Sequence, residues 1–288
     1  MKIYDRHKNE YIETEQYGQG KLEFLYGTAL GRILLKIVIS PFTSKIYGFY
    51  NGLPVSAKKI PAFIEKYNID ISKFEKSEYH SFNDFFTRKL RSDYVNIEKK
   101  ADILISPADS KLLVYNISDD LKILVKGSIY TLDELVKDKV DISGFGGGLC
   151  LVFRLCMDDY HRYCFVDNGK ILQSFDIKGK LHTVSSISKD YKIYKENSRI
   201  VTMCDTEQFG QIVHIEVGAL LVGRIVNHVF ETFTKGDEKG YFEPGGSTIV
   251  LLLKKNKAEI DDDIIKQSKK GIETIVKYGE RIGKKSHA

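Results

Sequence analysis

The sequence is short of cysteine: only Cys150, Cys156, Cys164 and Cys204 occur in 288 residues, and no two form a Cys-x-x-Cys pair. That spacing excludes a disulfide framework and a structural zinc site and points to reduced thiols. His161 and Cys164 could begin a metal set, but nothing nearby completes a tetrahedron, so no metal is expected. No apolar run reaches the ~20 residues a helix needs to cross a bilayer. The segment Met1 to Tyr17 is too polar and acidic for a signal peptide. A cytosolic chain without a membrane span is therefore expected. Internal repeats and low-complexity tracts are absent as well. Neither sign of charge dominates, since 44 Lys and Arg stand against 39 Asp and Glu, leaving a net +5. This mild excess favours anionic partners without choosing among nucleic acid, lipid headgroups and acidic metabolites.

What is present suits a folded chain. With 42% hydrophobic residues, 288 residues make one large domain or a core domain with an appended module. From Tyr26 to Arg91 the pattern is helical and rich in aromatics. Leu30, Ile33, Leu34, Ile37 and Val38 fall on one helical face with Arg32 and Lys36 opposite, and Ser40-Pro41 stops that helix. Such a stripe packs on a core or lies in a membrane interface, and both readings stand. A second helical stretch, Lys58 to Tyr67, leads to Phe82, Phe85 and Phe86, followed by Arg88, Lys89 and Arg91. After Ile103 short β-type runs take over: Leu149 to Leu155, Tyr163 to Val166, Lys170 to Ile177, Gln211 to Val217, Leu220 to Val226, Val229 to Phe233 and Thr248 to Leu253. Asp167-Asn168-Gly169 reads as a hairpin turn, and Asp261 to Tyr278 as a closing helix. The expected fold is α+β: a helical N-terminal region, 1–95, followed by a sheet-rich, mainly antiparallel catalytic body, 96–288.

The most informative segment runs from Lys235 to Thr248, where four glycines and a proline surround Ser247 at the entry to an apolar strand. As plain structure it is a Gly-rich loop. As a phosphate cradle it lacks the Gly-Lys-Ser/Thr ending and leads into a strand where a helix is needed. A third reading uses the Gly246-Ser247 bond. Without side chains at Gly245 and Gly246 the backbone can take strained conformations, and the Gly246 carbonyl is open to the Ser247 hydroxyl. That attack would give an ester by N-to-O acyl shift. Elimination would then release the upstream chain, leaving dehydroalanine that hydrolyses to a pyruvoyl ketone. The route needs a base with an orienting acid. Asp109, in Ser106-Pro107-Ala108-Asp109-Ser110, and His161, in Asp158-Asp159-Tyr160-His161-Arg162-Tyr163, are the candidates. Each also has a plain reading, as a turn-capping acid and a hydrogen-bonded strand-end histidine.

Together these segments resemble the phosphatidylserine decarboxylase proenzymes. The matching pieces, in the family's order, are Phe82-Asn83-Asp84-Phe85-Phe86-Thr87-Arg88-Lys89-Leu90, Ser106-Pro107-Ala108-Asp109, Asp159-Tyr160-His161-Arg162, Val217-Gly218-Ala219 with Val222-Gly223, and the Lys-Gly-x-Glu-x-Gly-x-Phe run ending in Gly246-Ser247-Thr248. The resemblance covers most of the chain from Ser44 to Gly283. It implies self-cleavage between Gly246 and Ser247 into a β chain, 1–246, and an α chain, 247–288, which form a heterodimer. It also implies that Ser247 becomes the pyruvoyl cofactor, which forms a Schiff base with phosphatidylserine in an anionic membrane and needs neither PLP nor metal. Asp109, His161 and Ser247 are the implied catalytic residues. The implied place of action is peripheral, on the cytoplasmic face of the membrane, with no nucleic acid partner; a homo-oligomer is left open.

The family pattern Tyr-His-Arg-x-His carries a second histidine that is usually assigned to self-cleavage, and here that position is Cys164. Either His161 serves both steps, or His182 reaches the site from a neighbouring strand. The same departure allows a rival from another class, a non-maturing lipid-binding relative without decarboxylase activity. A serine hydrolase would need a Gly-x-Ser-x-Gly elbow at a strand-to-helix turn, which Ser247 lacks.

Overall fold

The structure, a computed structural model, describes residues 2–13, 19–125, 128–181, 196–219, 224–245 and 247–286. Strand outweighs helix, 37% against 27%, in an α+β fold with mostly antiparallel pairing. Two strands, β1 (Lys2–Asp5) and β2 (Glu10–Glu13), precede five helices: α1 (Gln19–Gly27), α2 (Ala29–Val38), α3 (Pro41–Gly52), α4 (Ile60–Tyr67) and α5 (Phe82–Phe86). Each boundary has a local cause. Thr28 caps α2 by accepting from the Gly31 amide, and Ser40 caps α3 with Pro41 in its first turn. Ser40-Pro41 thus ends one helix and starts the next. Asn68, in the left-handed region at φ 48°, closes α4. Gly31 lets α2 lie directly on α1, because a Cβ there would meet the Phe24 carbonyl oxygen at 2.0 Å.

Beyond residue 100 come β3 (Ile103–Ile105), β4 (Ser110–Asn116), β5 (Lys122–Val125), β6 (Ser128–Thr131), α6 (Leu132–Val136), β7 (Leu149–Leu155), β8 (Arg162–Cys164), β9 (Gly169–Ile177), β10 (Arg199–Thr206) and β11 (Gly210–Gly218). They are followed by β12 (Ile225–Asn227), β13 (Thr232–Phe233), β14 (Glu238–Phe242), β15 (Ser247–Leu253), β16 (Ala258–Ile260), α7 (Asp262–Ser268), β17 (Glu273–Val276) and β18 (Arg281–Lys285). Ten strands form one sheet in the order β13-β9-β10-β11-β15-β7-β4-β17-β1-β2, antiparallel throughout except for β1 with β17. Two three-stranded sheets, β12-β14-β8 and β16-β18-β3, accompany it.

The centre of the large sheet is buried on both faces, which explains why β15 reads as an unbroken apolar run where a half-buried strand would alternate. Val250 and Leu252 join the cluster with Val152, Val213 and Phe145 on one face. Ile249, Leu251 and Leu253 join Leu151, Phe153 and Phe242 on the other. Ser247 continues this second row toward the strand's start, and is paired in register with Gly218 on β11 and Leu155 on β7.

Several elements differ from the sequence reading. β1 and β2, within the 1–95 region, join the main sheet. The Asp167-Asn168-Gly169 turn does not make a hairpin of the two flanking strands: β8 pairs with β14, and β9 with β10. The closing helix is α7 alone; Gly271 at φ 69° ends it, and the β-branched Thr274-Ile275-Val276 form β17 against β4. Of Val229 to Phe233 only Thr232 and Phe233 are strand, and Val229 is 98% exposed. Part of Leu220 to Val226 lies outside the described residues.

Leu251 is fully buried at the middle of β15. Leu251→Ala should lower the unfolding free energy by about 2–5 kcal/mol in urea denaturation, as core cavities do.

Candidate active site

Three matched motifs meet at the start of β15. Ser81 caps α5 by accepting from the Asp84 amide, which turns Phe82, Phe85 and Phe86 into the interior. The short helix leaves C-terminal carbonyls without helical partners. Arg162 takes them: its Nη2 donates to Thr87 O at 2.7 Å and its Nε to Thr87 O and Arg88 O. The same guanidinium binds Glu238 of β14 at 2.6 Å. Tyr160 accepts from the Leu90 amide, and the Phe242 amide donates to His161 O at 3.0 Å. The segment 159–164 is therefore clamped between α5 and β14, with His161 held at the centre.

The His161 imidazole is buried and lies on the Phe86 ring, centroids 4.2 Å apart. Its Nε2 lies 2.8 Å from Cys156 O, and its Nδ1 lies 3.4 Å from Ser247 Oγ. A carbonyl can only accept, so Nε2 carries the hydrogen and Nδ1 of the neutral ring presents a lone pair to the hydroxyl. The contact with Ser247 is long for a hydrogen bond but within reach of proton transfer. Burial pulls the imidazole down to about 4, against the opposing pull of the Asp159 carboxylate, so the ring is neutral at physiological pH. The chain approaches Ser247 through Gly245, whose φ of 144° favours glycine. Gly246 lies outside the described residues.

Of the three residues singled out from sequence, the structure brings His161 and Ser247 together and places Asp109 in other contacts. Asp109 accepts from the Tyr278 amide at 2.8 Å and from Lys277 Nζ at 3.2 Å, and its charge raises the Lys277 ammonium. Cys164 is fully buried, its Sγ 4.0 Å from Ser106 O, and burial pushes its thiol up to about 12. It is no base at neutral pH. His182 and Val222-Gly223 lie outside the described residues. Among the described residues no group of three His, Cys, Asp or Glu side chains could hold a metal.

Sequence reasoning missed the partner of His161. Cys156 contributes a backbone carbonyl, which carries no residue-type signal. It also missed Lys111, whose Nζ lies 2.7 Å from both oxygens of Asp159. Behind it Arg154 pairs with Glu273, with Nε 3.0 Å from Oε1, and contacts Cys156 Sγ at 2.9 Å. A buried Lys239–Glu216 pair at 2.6 Å joins β14 of the small sheet to β11 of the large one.

A model of the phosphatidylserine decarboxylase family matches residues 82–284. A phosphatidylserine decarboxylase proenzyme 2 of Clostridium acetobutylicum is 52% identical over 283 residues, covering 98% of this chain and 97% of that protein. A phosphatidylserine decarboxylase proenzyme of Desulfitobacterium hafniense is 40% identical with 98% of both chains covered, and one of Clostridium botulinum is 40% identical with 99% of both covered.

A buried imidazole at about 4 has a measurable linkage. The folded state refuses a proton that the unfolded chain accepts below its ordinary value near 6.5, so stability falls as pH drops from about 6.5 to 4 and the contribution is fully present above that window. The expected size is up to about 3 kcal/mol. His161→Gln should lose that part of the slope in denaturation series at stepped pH, while the similarly lowered, buried His214 keeps its own.

Proposed function

The chain belongs to the phosphatidylserine decarboxylase family, and on that premise we propose that Ser247 is where the precursor cuts itself and where a pyruvoyl group is made. The protein is a carboxy-lyase that converts phosphatidylserine to phosphatidylethanolamine. The observation that carries the Ser247 assignment is the approach of its hydroxyl to the bare Nδ1 of a neutral, buried histidine at a Gly-Ser strand entry. His161 Nδ1 takes the hydroxyl proton as Oγ adds to the Gly246 carbonyl. The imidazolium, a strong acid in this setting, gives that proton to the leaving Ser247 nitrogen, and the peptide becomes an ester. Loss of the Ser247 Cα proton then breaks the Cβ–O bond. The upstream chain leaves with a C-terminal carboxylate, and water converts the dehydroalanine to the ketone with release of ammonia.

The surroundings fit such a group: Ser247 and His161 are buried together in the uncut chain, which would limit bulk water around it. The chemistry a pyruvoyl group supplies is that of an electron sink, a ketone to which the substrate's amine attaches and into which the electron pair of departing CO2 moves. His161 remains beside that position and is our candidate to return a proton to the substrate carbon. Catalysis is assigned to residues 96–288, and the products 1–246 and 247–288 stay together as a heterodimer.

Lipid-surface contact is assigned to the 1–95 region. Among the described residues no helix is long and apolar enough to cross a membrane. α2 buries only Gly31 and Leu35, leaving Leu30, Ile33 and Ile37 each over 60% exposed. On α3, Phe42, Ile46 and Phe49 repeat the pattern at helical spacing. Exposed apolar faces on successive helices, flanked by exposed Arg32, Lys36 and Lys45, suit the interface of an anionic bilayer, where the substrate resides.

Two tests follow from these assignments. Ser247→Ala and His161→Ala should each give a single uncut chain by intact mass, whereas Cys164→Ser should mature and turn over normally. Cleavage of Ser247→Ala into the same two pieces would sink the pyruvoyl assignment. Ile33→Ser with Phe49→Ser should weaken sedimentation with phosphatidylserine vesicles roughly tenfold, and added salt should weaken it further, with turnover of dispersed short-chain phosphatidylserine preserved.

A further inference from the structure

Among the described residues, no acidic side chain is hydrogen-bonded to the base of the proposed self-cleavage. His161 Nε2–H points at a backbone carbonyl, Cys156 O, and the turn bearing that carbonyl is closed on itself. The Asp159 amide donates to Cys156 O at 3.1 Å, and the Cys156 amide donates to Asp159 Oδ2 at 2.7 Å. Asp159 is in turn gripped by Lys111 Nζ, 2.7 Å from both carboxylate oxygens, with both side chains buried. Lys111 lies on β4, paired in register with Arg154 on β7, whose strand runs directly into this turn. A strand of the main sheet thereby fixes the direction in which Cys156 O points.

We propose that Lys111 and Asp159 are positioning residues for His161: they lock the 156–159 turn so that Cys156 O holds the Nε2 hydrogen and Nδ1 faces Ser247. This rests on the assignment of His161 as the base. In a hydrolase triad an acidic side chain orients the histidine and stabilises its protonated form. Here the orienting group is neutral, and the Asp159 carboxylate that acts on the ring is already paired with a cation. The charged groups acting on His161 are Asp159 on its own segment, Arg88 from the stretch after α5 and Lys111 from β4, beside the neutral backbone carbonyl of Cys156. Asp159 favours the protonated ring, whereas Lys111 and Arg88 oppose it. Removing Lys111 both loosens the turn and leaves Asp159 free to attract a proton onto the imidazole.

The test uses the full chain. In cell-free precursor, Asp159→Ala and Lys111→Met should slow the appearance of the two chains roughly tenfold or more, and Lys111→Arg, which keeps the cation, should restore most of the rate. In the uncut Ser247→Ala precursor, imidazole nitrogen shifts should show the Nε2–H tautomer for His161. Adding Lys111→Met should move its titration upward in pH, a change that a merely structural role would not produce. An Nδ1–H tautomer, or normal cleavage in a folded Asp159→Ala chain, would overturn the role of the turn. Normal cleavage in His161→Gln would instead remove the assignment on which it rests, so the two failures are distinguishable.

Discussion

A neutral imidazole has two nitrogens and one hydrogen, so the group that holds the hydrogen decides what the other nitrogen can do. In this protein the Cys156 carbonyl holds it, at 2.8 Å. Much of the surrounding architecture makes that one contact possible. The ring packs at a tilt against Phe86, the residue's own carbonyl is bound by the Phe242 amide, and Arg162 ties the flanking segment to the end of α5 and to Glu238. The low proton affinity of His161 follows from the same burial. If His161 is the base as proposed, a base held near 4 would be weak, but it would be present in its active form at any physiological pH and, once protonated, would be a strong donor to a leaving nitrogen.

Cys164, where the resemblance leads one to expect a second histidine, is placed by its contacts. Cys164 lies against Ser106, on the side of the site where Tyr278 and Asp109 meet, and its buried thiol is far from ionising at neutral pH. Asp109 therefore has no imidazole to orient at position 164 and is occupied by Lys277 and the Tyr278 amide. The acid and the base of the expected relay are both present, but hydrogen bonds of the described residues do not link them.

What could be read from the sequence was whatever the chain states locally. β15 announced itself because both of its faces are apolar, and α2 because its stripe from Leu30 to Val38 is followed at once by Ser40-Pro41. His161 and Ser247 were legible through motifs. Long-range partners were not: Lys111 meets Asp159 from 48 residues away, and Asp109 meets Tyr278 from 169. Nothing in the run Ser110-Lys111-Leu112-Leu113-Val114 says that its lysine has a buried carboxylate to pair with. β10 went unread because Arg199 at its entry and Thr202 and Asp205 along it break the apolar texture, although Arg199 is buried and donates to the Leu135 and Glu134 carbonyls. The closing helix was overextended because Ile272, Ile275 and Val276 keep a helical spacing while Gly271 has already ended the helix.

The interior position of β15 bears on what the proposed cut can do to the molecule. Ser247 would open a new chain end on a strand hydrogen-bonded to β11 on one side and β7 on the other, and β17, from the same fragment, is inserted between β4 and β1. The short piece is woven into the long one at two places in a single sheet. It can neither leave nor be traded for the corresponding piece of another copy without dismantling the core on both faces. If the proposed cut occurs, each cut molecule would be a closed lineage, in which both fragments descend from one translation event. A population of these enzymes would keep the damage of every faulty precursor confined to the molecule that made it.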